Sequence, residues 1–267
     1  MMNSHNKRLF IQLLATRLQQ HHYTVLHAVD DVDKLIVKTA LDFCVNAEPV
    51  TVVADDTDIL VLLIHHLMQS MADIFLLSAT GSQRSRTTHT ISIQDLFCAV
   101  GNRLAKQLPV IHAVSGCDTT SALFGHGKST VLKKISKHAD SDALARTLLS
   151  ATASVDEVAC DGLRLLSIIY GCEQQSLDHV RYVTYMNMLA HSSIRPRPEK
   201  LPPTERAAYF HVLRVHLQAV QWHLCRIPRC TTPCLSPKHA YKIPYQPFRE
   251  FRLSVCLRRF PPREESM

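Results

Sequence analysis

The sequence lacks a long apolar segment and a regular set of cysteines. Its longest aliphatic run, residues 59–64, is far shorter than the roughly 20 apolar residues that cross a membrane. The first eight residues are polar and basic, and Gln12 and Arg17 interrupt the apolar stretch that follows, which argues against a secretory signal. The nine cysteines are odd in number and scattered, as expected of reduced thiols. We therefore expect an intracellular protein, nuclear or cytoplasmic, without a membrane partner.

Glycine is scarce, and the last third of the chain has none. The last of the seven glycines is Gly171, whereas 11 of the 13 prolines lie at or after Pro196. This change of composition predicts a boundary near residues 190–202. We expect an α/β core over residues 1–138 and a helical extension that packs on it over residues 139–224. A proline-rich, basic and poorly ordered tail is expected over residues 225–267.

Acidic charge does not dominate the chain, whose net charge is +7. Residues 191–267 hold 14 Lys and Arg against 5 Asp and Glu, whereas residues 1–190 hold 16 against 18. The basic end suits a polyanion such as nucleic acid, although a solvated terminus would carry the same charge. The composition does not indicate which proteins, if any, are its partners.

Predicted strands and helices alternate up to about residue 114. The predicted helices are residues 6–20, 31–45, 59–68 and 92–108, and the predicted strands are residues 23–29, 50–54, 74–77 and 110–114. Residues 81–89 are polar and turn-like, and from Lys128 to about His223 the pattern is helical. This alternation predicts a three-layer α/β domain with a parallel sheet.

Acidic residues stand at helix starts and strand ends. Asp31 and Asp33 open a predicted helix, Asp56 and Asp58 follow the strand at residues 50–54, and Asp118 follows residues 110–114. Because parallel strands carry their ligands at their carboxyl ends, we expect these five side chains to converge as catalytic residues, with Asp55 as their neighbour. The alternative is that they are helix caps and turn residues.

Such a group of carboxylates needs compensating charge. Two carboxylates about 5 Å apart repel by roughly 3 kcal/mol at an effective dielectric of 20. Hard divalent cations with oxygen ligands relieve this repulsion, and paired cations suit phosphodiester hydrolysis. The expected ligands of Mg²⁺ or Mn²⁺ are Asp31, Asp33, Asp55, Asp56, Asp58 and Asp118.

A G-x-G-K turn follows Asp118 and leads into a lysine-bearing helix. Glycines before a helix let backbone N–H groups approach a phosphate, and lysines add attraction. The candidate phosphate-binding residues are Gly125, Gly127, Lys128, Ser129, Lys133 and Lys134. The alternative is a tight turn followed by a solvated helix face. A P-loop is disfavoured because Ala122 stands where its first glycine belongs.

In this order the motifs resemble the PIN-like domain of flap-endonuclease relatives, and more closely that of uncharacterised, transposon-associated animal proteins. The resemblance covers about residues 6–224 and rests on YTVLHAVDDVD, VTVVADDTDILVL and VIHAVSGCDTTSALFGHGKSTVLKKI, with SLDHVRYVTYMNM and LPPTERAAYFHVLRVHLQAVQW as later stretches. It implies a metal-dependent nuclease that acts on nucleic acid, DNA rather than RNA. The five aspartates match the family's acids, and the turn matches the one that grips duplex backbone phosphates.

The sequence also departs from the flap-endonuclease pattern. Flap endonucleases begin with a strand that bears an acid and continue with a second acidic strand, whereas this sequence begins at the helix after both. Asp31 and Asp33 stand where flap endonucleases carry glutamates, which shortens their reach by one methylene. We therefore expect a degenerate nuclease of reduced activity. The alternative is a catalytically inactive nucleic-acid-binding protein derived from a mobile element.

The last predicted helix starts at Thr204, a good N-cap after two prolines. Apolar residues recur along it at helical spacing, which predicts a core-facing stripe with Trp222 as an anchor. The stripe comprises Phe210, Leu213, Leu217, Val220 and Leu224. Beyond it, Cys225, Cys230, Cys234 and His239 have spacings that fit no common zinc finger, so zinc is disfavoured.

Overall fold

The protein is an α/β protein that divides into two compact units. The computed structural model describes residues 4–29, 31–44, 49–67, 72–80, 87–173, 175–191, 197–225 and 255–257. One unit comprises Met1–Thr39 with Ile227–Met267, and the other comprises Ala40–Arg226. Within the described ranges there are ten α-helices, a mixed sheet of three strands and a two-stranded sheet.

The first unit contains α1 (Ser4–Gln20), β1 (Thr24–Leu26) and the start of α2 (Val32–Cys44). These elements confirm the predicted helix–strand–helix order. β1 pairs antiparallel with β5 (Val255–Leu257), so the predicted irregular tail includes at least one short strand. Residues 226–254 and 258–267 lie outside the described residues, and the prediction for them stays untested.

The sheet of the second unit contains β2 (Val50–Val53), β3 (Ile74–Thr80) and β4 (Thr87–Ser92), in the order β2-β3-β4. β2 and β3 are parallel, with Val50 opposite Ile74, as predicted. β3 and β4 are antiparallel, so the prediction of an all-parallel sheet is wrong. Only residues 81–86 separate these two strands, and a parallel pair needs a crossover of a dozen or more residues.

The prediction of a strand at residues 110–114 is wrong, because these residues lie inside a helix. α3 (Thr57–His66) follows β2, and α4 (Ile93–Val100) ends at Gly101, where φ is 78°. α5 (Asn102–Ser115) then runs through the whole apolar segment, and all five residues from Val110 to Val114 are buried. A short buried run of apolar residues has the same pattern in a strand and in a buried helix. Asp118 therefore follows a helix and not a strand.

The rest of the second unit is helical, as predicted. It contains α6 (Lys128–Lys137), α7 (Ser141–Leu149), α8 (Val155–Tyr170), α9 (Leu177–His191) and α10 (Glu205–His223). Helix α10 packs against α5, α7 and α8, and α6 packs against α5 and α8. The predicted boundary between residues 138 and 139 therefore falls inside one compact unit.

Helix α10 starts as predicted but buries a different face. Thr204 caps it, since its hydroxyl accepts a hydrogen bond from the Ala207 N–H. The predicted core stripe is wrong, because Phe210, Leu217 and Leu224 are about half exposed. The buried face comprises Ala208, His211, Val212, Val215, Gln218, Ala219 and Trp222. The polar residues His211 and Gln218 interrupt the apolar pattern of this face in the sequence. Both have hydrogen-bond partners, His211 at the Val114 carbonyl and Gln218 at the Thr119 hydroxyl.

Candidate functional site

The D-D-T-D segment forms the junction between β2 and α3. Asp56 is the N-cap of α3, and its Oδ1 accepts a hydrogen bond from the Asp58 N–H at 2.9 Å. Asp55 accepts one from the Ser78 hydroxyl at 2.9 Å, which links the end of β2 to β3. Asp55 and Asp56 are exposed, whereas Asp58 is buried. The three acids therefore have different environments despite their adjacency.

Buried Asp58 is paired with a histidine that the sequence did not indicate. His112, a buried residue of α5, places its Nε2 2.6 Å from Asp58 Oδ1. An ionised carboxylate only accepts hydrogen bonds, so in this pair Nε2 carries the proton and donates it. A carboxylate that is buried without a partner costs several kcal/mol, and the imidazole removes most of that penalty. The pair therefore joins α3 to α5 at the base of the site.

The G-x-G-K turn meets the D-D-T-D segment through Lys128. This lysine is the first residue of α6, and its Nζ donates to the Thr57 hydroxyl at 3.1 Å. The same Nζ lies 3.4 Å from His112 Nε2, so its positive charge stands beside the buried pair. Two motifs separated by about 70 residues thus form one edge of the second unit.

The rest of the turn has the backbone that its glycines allow. Gly125 has a φ of 75°, in the left-handed region, and Gly127 is the extended N-cap of α6. Ser129 and Lys133 are exposed, so they can reach a ligand. Lys134 differs, because its Nζ donates to the Ile169 carbonyl near the end of α8. This contact is typical of a lysine at a helix C-terminus and withdraws Lys134 from the turn.

His126, between the two glycines, is a further feature of the turn. Its ring packs edge-on against Tyr170, with 4.7 Å between ring centroids. Its Nδ1 is buried and has no hydrogen-bond partner among the described residues. Burial lowers the pKa of His126 below its usual value, and the nearby charge of Lys134 lowers it further. Burial and the neighbouring lysine thus both disfavour the charged form of His126.

Asp118 lies in a tight turn between α5 and the G-x-G-K segment. Cys117 and Thr120 form a backbone bridge, and the Thr120 hydroxyl donates to the Ala113 carbonyl at 2.6 Å. Gly116 has a φ of 111°, and a Cβ there would lie 2.7 Å from the Cα of Ala122. Asp118 itself is exposed on this rigid turn.

Asp31 and Asp33 belong to the first unit, at the start of α2. The Asp33 N–H donates to Asp31 Oδ1 at 2.9 Å, so Asp31 acts as a helix cap. Asp56, Asp58 and Asp118 belong to the second unit. The convergence of the five aspartates therefore stays a prediction. In the described part of the chain, no three His, Cys, Asp or Glu side chains are grouped as ligands of one metal ion.

The acidic residues fit Mg²⁺ or Mn²⁺ in chemistry but not in arrangement. Carboxylate oxygens are the ligands that such cations prefer. Asp58 Oδ1 accepts from His112, and Asp56 Oδ1 accepts from the backbone of α3. A carboxylate has about four lone-pair sites, so these hydrogen bonds orient the two acids without excluding a cation. However, the described acids of the D-D-T-D segment are not grouped as the ligands of one ion.

Comparisons with protein-family models, curated proteins and solved structures found no match to this chain. Within the described residues, no helix combines the length and the apolar character needed to cross a membrane.

Proposed function

We propose that this chain is a degenerate PIN-like, flap-endonuclease-like domain that binds nucleic-acid phosphates. The contact between Lys128 and Thr57 carries this proposal, because it sets the glycine turn and the N-terminus of α6 beside the D-D-T-D segment. The N-terminus of a helix attracts phosphate through its free N–H groups and its dipole. Gly127, Lys128, Ser129 and Lys133 are the expected contacts of the nucleic-acid backbone.

The same geometry supports reduced hydrolysis. Asp58, which corresponds to a metal-binding acid in the resemblance, is buried against His112 and has Lys128 beside it. A divalent cation beside Asp58 would approach the Lys128 ammonium, and this like-charge repulsion lowers its affinity. If the domain is active, we expect slow phosphodiester hydrolysis that depends on Mg²⁺ or Mn²⁺.

The phosphate-binding part of the proposal is tested with fluorescently labelled branched and single-stranded DNA. Lys128→Gln is expected to weaken binding for every DNA sequence and to lower the salt dependence by about one phosphate contact. Lys137→Gln is the matched control, since Lys137 is exposed on the last turn of the same helix. Fluorescence anisotropy at several salt concentrations measures both effects. Equal effects of the two substitutions would refute the proposed contact.

The catalytic part is tested by cleavage of the same DNA with Mg²⁺ or Mn²⁺. Slow cleavage that is lost on chelation and in Asp56→Asn supports a nuclease of reduced activity. DNA binding without cleavage supports the second candidate, an inactive nucleic-acid-binding protein derived from a mobile element. The observation that favours this second candidate is that Asp58 is buried and hydrogen-bonded to His112. Cleavage that survives Asp56→Asn would contradict the assignment of the acidic segment.

A further inference from the structure

A second group of potential ligands lies at the opposite end of α3. His65 and His66 are in the last turn of α3, and His223 is the last residue of α10. All three line a pocket of about 460 Å³ together with Lys106 and Arg146. Asp58 and His65 are seven positions apart, so the two sites are about 10 Å apart along α3.

A proline in α5 determines how His65 is held. Pro109 has no N–H, so it cannot donate to the carbonyl of Ala105 four residues earlier in the helix. His65 Nδ1 lies 3.1 Å from this carbonyl oxygen and donates to it. A neutral imidazole that donates from Nδ1 has a lone pair on Nε2. The irregularity in α5 therefore fixes both the orientation of His65 and the nitrogen that can bind a ligand.

The lone pair of His65 is directed at His223. His65 Nε2 lies 3.0 Å from His223 Nδ1. His66 is not part of this pair, because its Nε2 donates to the Trp222 carbonyl at 2.9 Å. Two imidazole nitrogens from different helices thus face one another at the edge of the pocket.

We propose that His65 and His223 bind a divalent transition-metal ion of the Cu²⁺ or Ni²⁺ type. Imidazole nitrogens bind such ions at about 2.0–2.1 Å, so a separation of 3.0 Å corresponds to an angle of about 94° at the metal. This angle suits the square-planar or octahedral geometry of Cu²⁺ and Ni²⁺ better than the tetrahedral geometry of zinc. The contact of His65 with Ala105 is the outer-shell hydrogen bond that orients a metal-binding histidine. Water completes the coordination from the pocket.

The charges around the pocket oppose any cation, so the two imidazoles must supply the affinity. Lys106 and Arg146 repel every divalent ion alike, and imidazole nitrogens favour transition-metal ions over hard cations. The C-terminal ends of α3, α7 and α10 place negative helix dipoles at the pocket and offset part of this charge.

The fluorescence of Trp222 provides the test. Trp222 is the only tryptophan of the chain, and it precedes His223 directly. Because Cu²⁺ quenches nearby indole emission, Cu²⁺ added to the full chain is expected to give saturable quenching. Cysteines are first alkylated with iodoacetamide to remove competing thiols. His65→Gln and His223→Gln are each expected to lower the apparent affinity at least about tenfold.

His179→Gln is the matched control, because His179 is exposed on α9, away from the pocket. This variant is expected to bind Cu²⁺ as the wild type does. Urea unfolding of each variant shows whether a loss of Cu²⁺ binding comes from the missing imidazole or from an unfolded protein. Because His223 is exposed, its replacement should lower the stability less than that of His65. Quenching that does not saturate, or that persists unchanged in both folded variants, would show that the two imidazoles form only an N–H···N hydrogen bond.

Discussion

At the scale of single residues, the candidate site depends on three side chains. Asp58, His112 and Lys128 come from three helices, and the distances among them are 2.6 Å and 3.4 Å. The acid and the lysine were predicted from their motifs. His112 was missed because residues 110–114 were predicted to form a strand, in which its side chain has no defined relation to Asp58. A helix over the same residues would have placed His112 one turn before Gly116, but only the packing of α5 against α3 brings it to Asp58.

The buried pair is expected to stabilise the fold. Asp58→Ala and His112→Ala should each lower the free energy of unfolding by about 3 kcal/mol, since each leaves a buried polar partner. The double variant should lose less than the sum, by at least about 1 kcal/mol, because both changes remove one interaction. Urea unfolding of the four proteins measures this coupling. Strict additivity would show that the two side chains do not interact.

At the scale of helices and strands, local signals were accurate at element starts. Asp56, Ser154 and Thr204 are all N-caps whose side chains accept a backbone hydrogen bond. Thr204 had been predicted as a cap, a cap was the alternative prediction for Asp56, and Ser154 had not been singled out. The less accurate predictions concerned which face of a helix is buried. That choice depends on the neighbouring helix, and α10 buries His211 and Gln218 because α5 and the turn after it offer them partners.

The contact between α8 and α10 depends on a glycine. A Cβ at Gly162 would lie 1.9 Å from Val212 Cγ1, so Gly162→Ala should force the helices apart. We expect a loss of about 1–3 kcal/mol in the free energy of unfolding, despite the better helix propensity of alanine. Gly127→Ala is the control, since nothing lies within 4 Å of a Cβ there. Recovery of stability in Gly162→Ala with Val212→Ala would confirm the clash, and no recovery would contradict it.

The contact between α5 and α10 is expected to depend on pH. Burial lowers the pKa of His211, although its hydrogen bond to the Val114 carbonyl opposes the shift. The His211 imidazole therefore binds a proton more readily in the unfolded chain than in the folded one. As a result, the free energy of unfolding should fall as pH drops below about 6.5. His211→Gln keeps a donor for Val114 and should reduce this fall between pH 7.5 and 5.5.

Urea midpoints measured across that range check the expectation, with His179→Gln as an exposed control. In His211→Gln the urea midpoint should depend less on pH than in the wild type. Some dependence should remain, since burial also lowers the pKa of His65 and His66. An unchanged slope in His211→Gln would assign the acid sensitivity elsewhere.

At the scale of the whole molecule, the unit Ala40–Arg226 contains most of the described elements. Its core consists of α3, α5, α7, α8 and α10, and its sheet of three strands lies on the N-terminal side of the sequence. The candidate site and the histidine pocket both belong to this unit. The sequence had predicted a boundary between an α/β core and a helical extension at residues 138–139, but α7 and α8 pack on α5 and α6 within one unit.

This unit is expected to fold without the rest of the chain. A shortened chain of residues 31–225 keeps all of α2 and the whole core of the unit. It should unfold cooperatively in urea, with nearly the same midpoint as the full chain, when followed by the fluorescence of Trp222. A much lower midpoint would mean that the first unit contributes to the stability of the second.

The sequence by itself determined the order of the elements from α1 to β3, the helical C-terminal half, the acidic segment after β2 and the glycine turn before α6. These features depend on short-range patterns of apolar spacing, capping and turn residues. The tertiary structure alone decided that Asp58 meets His112, that Thr57 meets Lys128 and that His65 meets His223, across 54, 71 and 158 residues. Such contacts depend on how helices pack, and the packing follows from the shape and burial of the whole unit, which no local pattern encodes.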